Sequence, residues 1–421
     1  MNQTTKKQNI FVIICVAVLV LLFIVVSLLV YLFYRPDNPE TTPSNTEPSI
    51  WAQTSIDLYN FEQEETLNGY KLTGLKEEAI LPGEYVILPT TYNEQPVTSI
   101  GANAFSALNA KGVVIPTSVK LVEQMAFAQN TTLEVVGIGM VPEGLDFVSA
   151  VADENATIAD VVLDGLSFAG CTSLKSIYGT DSVLEIGAGA FMECSSLQTV
   201  EGFNNVTELG ISAFERCSSL QTVEGFDSLE RLSDRAFYFC ENLASCKMNN
   251  VEVIYPTTFD SAGVIIDNLQ ENLPSFKYVY FKDSGILDVS TFSNNTDATF
   301  GLLVANTVTN LTGGAFQDNT NITSIVFEEN SQISTIEFSC FSGCTNLKEI
   351  NLPATLTSFG TRVFANCPNV EVVNYDIVSL SQDQNIFEGV GVGGNGFILN
   401  IGPSVQSIPA MLCSAGDLGT V

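Results

Sequence analysis

Phenylalanine returns at a fixed interval: Phe168, Phe191, Phe214 and Phe237 are evenly spaced. The text around them repeats too, as in Glu185–Val200 (EIGAGAFMECSSLQTV) and Glu208–Val223 (ELGISAFERCSSLQTV). The same register recovers Phe105, Phe127, Phe259, Phe292, Phe316, Phe341, Phe364 and Phe387, mostly at similar intervals. A period of roughly two dozen amino acids restricts the chain to stacked supersecondary units.

The flanks define the unit. Five positions before the phenylalanine stands an aliphatic, as in Ile100, Val122, Leu163, Ile186, Leu209 and Ile336; six positions after it stands another, as in Leu133, Leu174, Leu197, Leu220 and Leu347. A further aliphatic follows three positions on, at Val136, Ile177, Val200, Val223, Ile325, Ile350 and Val373. A single coil buries too few of these side chains to offset the entropy of ordering its backbone, so neighbours must share one interior. Short alternating runs such as Leu197–Glu201 are β-compatible and predict one strand per coil in a continuous parallel sheet. The expected fold is a β-rich solenoid of about twelve coils over residues 89–421, with residues 51–88 as an N-terminal flank or cap.

Six of the ten cysteines follow the same register. Cys171, Cys194, Cys217, Cys240, Cys344 and Cys367 stand three positions after the phenylalanine, where sister coils hold Asn130, Asn295 and Asn319. Both residue types are small donors, and asparagine cannot form a disulfide. The exchange therefore favours an inward ladder of free side chains bonded to backbone carbonyls of the adjacent turn. Separation alone still allows bonding between neighbouring coils. Cys246, Cys340 and Cys413 fall off the ladder and are the candidates for bonding or exposure, while Cys15 lies in an apolar segment. None of the off-ladder cysteines pairs at zinc-like spacing.

That apolar segment, Ile10 to Tyr34, carries no charge anywhere along its length. As a helix it reaches roughly 37 Å, enough to cross a bilayer core. Lys6 and Lys7 precede it, favouring a cytoplasmic tail over residues 1–9 and an outward body. A cleaved signal peptide is the alternative, although its apolar core should be shorter and end in a small-x-small site. Residues 35–50 carry four prolines and read as an extended stalk. The expected location is thus the plasma membrane, with a single transmembrane helix over residues 10–34.

The chain holds 47 acidic against 16 basic residues and no histidine. Such a surface repels nucleic acid. The lack of histidine removes the commonest general base and the usual nucleophile pairs. No catalytic residue, cofactor or metal site is expected.

The pattern Ile-x-x-x-x-Phe-x-x-Cys-x-x-Leu-x-x-Val resembles the BspA-type leucine-rich repeats of bacterial and protist surface proteins. The stretch from Pro89 to Phe105 looks like the usual opening of such an array. The resemblance covers roughly residues 80 to 421 and implies a curved leucine-rich-repeat solenoid with a role in adhesion or macromolecular recognition. A structural coat component without a specific ligand is the alternative.

Three departures stand out. Phe127 to Phe168 spans almost two periods, so Val141 to Asp160 is either a degenerate coil or an insertion. Phe259 to Phe292 spans well over one period, and Leu273 to Ser284 is expected to bulge from the array. After Ser407 to Cys413 opens another coil no polar cap follows, which predicts an incomplete C-terminus.

The outward strand positions flank the third aliphatic: Tyr178, Thr199, Glu201, Thr222, Glu224, Glu349 and Asn351 are the binding-face candidates, expected to align into one face. An extracellular protein or glycan is the expected ligand class. Gly391 to Gly396 matches GxGxxG but does not open a helix, so dinucleotide binding is not expected. Sequons at Asn130, Asn155, Asn205, Asn294, Asn310 and Asn321 accord with a secretory route, with Asn130 already assigned to the ladder.

Overall fold

In the computed structural model, the described residues are 51–81, 83–106, 108–139, 160–261, 268–282, 299–380, 386–394, 396–409 and 412. The expected membrane segment, the stalk, Phe292, Asn295 and Cys413 lie outside them. Among the described residues no helix is long and apolar enough to cross a membrane.

Each coil is built around its phenylalanine. The positions two before and two after the ring are left-handed, with φ of 58° at Leu166, 59° at Ser212, 62° at Glu193 and 61° at Arg216. For non-glycine residues this geometry costs on the order of 1 kcal/mol each. The next coil holds it in place. The N–H groups of Leu166, Phe168 and Gly170 donate to the carbonyls of Ala188, Ala190 and Met192, each at 2.8 Å. Alternate residues of the turn thus form a backbone ladder, and the ring points inward. Stacking follows from that register: Phe105, Phe127, Phe168, Phe191, Phe214, Phe237 and Phe259 form a run of near-parallel rings with centroids 5.1 to 5.6 Å apart. A second run joins Phe316, Phe341, Phe364 and Phe387.

Two columns of strands flank the rings, giving a β-solenoid of about twelve turns with parallel strands. The first column follows the third aliphatic. It pairs Trp51–Gln53, Tyr85–Ile87, Gly112–Ile115, Val135–Ile138 and Ser176–Tyr178, then continues in a three-stranded sheet of Thr199–Val200, Thr222–Glu224 and Ser245–Lys247. The second follows the aliphatic before the ring, through Gln95–Ile100, Leu121–Val122, Val161–Leu163, Val183–Ile186 and Glu208–Leu209. The flank joins this scaffold directly. Tyr59–Glu64 and Gly69–Leu75 form an antiparallel hairpin, whose second strand pairs parallel with Gln95–Ile100.

Coils approach closely where the turn leaves the second column. A Cβ on Gly210 would lie 2.3 Å from the Ala188 nitrogen, and one on Gly360 2.1 Å from that of Phe338. Glu123 and Glu337, at the equivalent position, instead reach back to accept from the N–H groups of Ala102 and Gly313.

The two long intervals resolve differently from one another. Phe127 and Phe168 stack directly at 5.1 Å, and Leu121–Val122 pairs with Val161–Leu163. The flanking coils are thus direct neighbours, with no degenerate coil between them, and residues 141–159 themselves lie outside the described residues. The expected bulge at Leu273 to Ser284 is corrected: Tyr278–Phe281 is a strand of the array and Leu273 is buried. At this point the columns exchange. Val253–Ile254 belongs to the second column through the Arg231–Val253 bridge, and pairs with Tyr278–Phe281. That strand pairs with Phe300–Val304, which pairs with Ile322–Phe327, a first-column strand by its place after Phe316. The sheet then runs on through Glu349–Leu352, Val372–Tyr375 and Ile398–Ile401. The first column of the N-terminal part ends at Ser245–Lys247, where the buried Asn272 accepts from the Cys246 N–H at 2.8 Å.

Candidate binding faces

The interior leaves little chemistry free. Each ladder thiol donates to the phenylalanine carbonyl one coil back: Cys171 to Phe127, Cys194 to Phe168, Cys217 to Phe191, Cys240 to Phe214, Cys344 to Phe316 and Cys367 to Phe341, at 3.1 to 3.3 Å. Asn130 fills the same slot with two N–H bonds, to the Phe105 and Phe127 carbonyls. Asn319 acts differently. Its side-chain oxygen accepts from the Asn321 and Ile322 N–H groups of its own coil.

Burial pushes the thiols of Cys171, Cys240 and Cys367 up to about 12, and those of Cys194, Cys217 and Cys344 well above the usual range. Neutral buried thiols are poor nucleophiles and poor metal ligands. Cys246 and Cys340, expected as exposed or bonded, are free and fully buried, which corrects that expectation. Each stands where its coil packs an apolar side chain: Cys246 at the third aliphatic, Cys340 directly before Phe341, where sister coils hold alanine. Among the described residues no three His, Cys, Asp or Glu side chains gather as a metal site.

The outward strand positions fall into two groups. In the N-terminal part Thr199, Thr222 and Ser245 share one register, as do Glu224 and Lys247. Tyr178 stands on the preceding coil, 37% exposed, and Glu201 and Glu224 are exposed. Between these positions Val200 and Val223 face inward and are buried, so the alternation of the pleat separates core from surface.

Glu349 and Asn351 belong to the other group. Because the columns exchange, their sheet continues the second column, and the single face expected from sequence is divided. Here Asn374 donates to the Asn351 side-chain oxygen at 2.7 Å and to Glu349 at 3.2 Å, and Asn400 donates to Asn374 at 2.8 Å. Asn351 itself donates to the Ile325 carbonyl. Asn400 is not among the sequence candidates. The recurrence of asparagine at 351, 374 and 400 is the available signal, since in-register carboxamides bond rung to rung.

A brace crosses the exchange. Arg231 lies over the Tyr280 ring at 4.6 Å and 3.7 Å from Glu328, whose other oxygen accepts from the Tyr280 hydroxyl. Beside it Lys282 pairs with Asp234 at 2.6 Å and sits over Tyr255. Sequence alone offers no route to this cluster, because its members come together only through the column exchange. The GxGxxG stretch lines a cleft of about 600 Å³ with Lys348, Glu371 and Phe397. Two of its glycines hold left-handed backbone, with φ of 72° at Gly391 and 86° at Gly396.

Together, the parallel coils, phenylalanine runs and side-chain ladder define a leucine-rich-repeat solenoid. The chain belongs to the BspA type leucine rich repeat family, whose model matches in six copies over residues 86–150, 162–288 and 286–391. It is similar to a leucine-rich repeat protein from Bacteroides ovatus, with 23% identity, 80% of this chain and 92% of that one covered, and a TM-score of 0.43. It is also similar to a leucine rich cell surface protein from Faecalibacterium prausnitzii, with 19% identity, 90% and 100% covered, and a TM-score of 0.40. A T. pallidum leucine rich repeat protein matches at 24% identity over 52% of this chain and 94% of that one, with a TM-score of 0.42. No curated protein sequence matches the chain.

Proposed function

We propose that this chain is a membrane-anchored cell-surface protein that recognises an extracellular protein or glycan through the outer strand face of its N-terminal coils, without catalysis. The observation that carries the reading is the in-register row of Thr199, Thr222 and Ser245, bordered by Tyr178, Glu201 and Glu224, on strands whose alternate residues are buried. Core positions are committed to packing and to the thiol ladder, so selective contact falls to this row. The apolar run Ile10 to Tyr34, with Lys6 and Lys7 before it, supports an anchor with the tail inside and the body outside.

The test is binding of the purified chain to cells and matrix proteins, titrated to saturation, beside the double charge reversal Glu201→Lys with Glu224→Lys. The expected result is saturable binding that the reversal weakens by about tenfold or more while melting is unchanged. Saturable binding indifferent to the reversal removes this face, and non-saturable binding removes the recognition function.

A further inference from the structure

We infer that Asn205 is a site of N-linked glycosylation, and that among the described sequons the native coil accommodates a glycan there and not at Asn130 or Asn321. The inference rests on the surface reading above, because only a chain that enters the secretory route meets the transferring enzyme. The acceptor motif occurs at four described asparagines, and the fold treats them unequally.

Asn130 is 3% exposed, and both of its amide hydrogens are used inside the ladder, on Phe105 at 2.6 Å and Phe127 at 2.7 Å. A sugar on that nitrogen would replace one of those bonds and would need space the core lacks. Asn321 is 5% exposed, with its backbone N–H held by Asn319. Asn310 is half-buried on a strand, and its amide donates to Glu337 at 2.8 Å.

Asn205 differs on each count. It is exposed, in the turn after the first column, and Thr207 of its motif is exposed as well. Its amide donates one hydrogen bond, to the Asp181 carbonyl of the preceding coil at 2.8 Å. A glycosylated asparagine keeps one N–H, so that bond survives while the second hydrogen gives way to the sugar carbon. Val206 is buried and fixes the turn, leaving the acceptor side chain on its rim.

The experiment carries the full chain into a eukaryotic secretory pathway behind an added leader, so that entry does not depend on the chain's own apolar segment. The folded product is digested and each motif asparagine is scored by mass spectrometry after enzymatic glycan release in heavy-oxygen water, which leaves a labelled aspartate at each former glycan site. Most molecules are expected to be modified at Asn205 and none at Asn130 or Asn321. The variant Asn205→Gln should lose that modification and keep its melting profile. Folded, secreted product unmodified at Asn205 overturns the inference, as does modification of Asn130 in protein that melts normally. Because entry is supplied, neither result depends on whether the chain reaches the surface by itself or binds a ligand.

Discussion

Two intervals between phenylalanines exceed the coil length, and the fold accommodates them in opposite ways. Across the interval from Phe127 to Phe168, rings, strands and thiol ladder close up as though nothing intervened. In the long interval after Phe259 the described residues stay in the array. Tyr278–Phe281 takes a place in the second column, Asn272 closes the first, and the coils that follow build their main sheet on the other side. An interval that returns the chain to its starting register is a loop, whereas one that returns it part-way round the coil re-addresses every later strand. The surface consequence is direct. A row of threonines and glutamates lies on one column before the exchange, and an asparagine ladder lies on the continuation of the other after it.

The largest expected effect lies in the uninterrupted part. Phe214 is sandwiched between Phe191 and Phe237 at 5.2 and 5.5 Å, and Phe214→Ala should cost about 3–5 kcal/mol in denaturant melts. A smaller loss would mean that neighbouring coils can collapse into the space. Next comes the closure of the first column. Asn272→Ala leaves the buried Cys246 N–H without its acceptor and should cost about 1–3 kcal/mol. Amide exchange should speed up at Ser245–Lys247 and not at Thr199–Val200. Equal protection at both would mean that Asn272 is no closure.

The ladder offers a subtler probe. Cys217→Ala removes a bond to the Phe191 carbonyl and should cost about 1 kcal/mol, with Cys217→Ser recovering part of it. The thiols also predict a pH dependence. Folded, Cys171, Cys240 and Cys367 ionise only near 12, against 9.0 for a free thiol. The unfolded chain therefore loses these protons first. The corresponding stability is intact below pH 9 and declines as pH climbs toward 12. A melting temperature flat across that window would contradict buried neutral thiols. The smallest effect is expected at the insertion. Excising residues 141–158 would restore the common period between Phe127 and Phe168, and should change stability by less than about 1 kcal/mol. A large loss would show that the insertion packs on the coils.

Much of this is legible in sequence, because the period is written in residues that occupy the same site in every coil. Phe214, Leu220 and Val223 announce an interior, and the alternation of cysteine with Asn130 announces a donor ladder. What cannot be read is phase. The long interval after Phe259 is visible, but nothing in Leu273 to Ser284 states on which side of the coil the chain resumes. That depends on how Tyr278–Phe281 pairs with Val253–Ile254. The brace of Arg231, Tyr280 and Glu328 and the division of the outward row follow from the same unread choice. Cys246 and Cys340 stand in marked slots, the third aliphatic and the alanine position of Ala190, Ala213 and Ala236, and escape the reading because a thiol there replaces a hydrocarbon that residue type alone does not announce.

The stretch from Cys194 to Phe203 recurs without change from Cys217 to Phe226. Where the strands and backbone ladders of a turn pair only with the turn before and the turn after, as they do here, such a verbatim copy is structurally harmless. Length can therefore be inherited in whole steps, by duplicating or losing a unit of message, with no redesign of what lies beyond it.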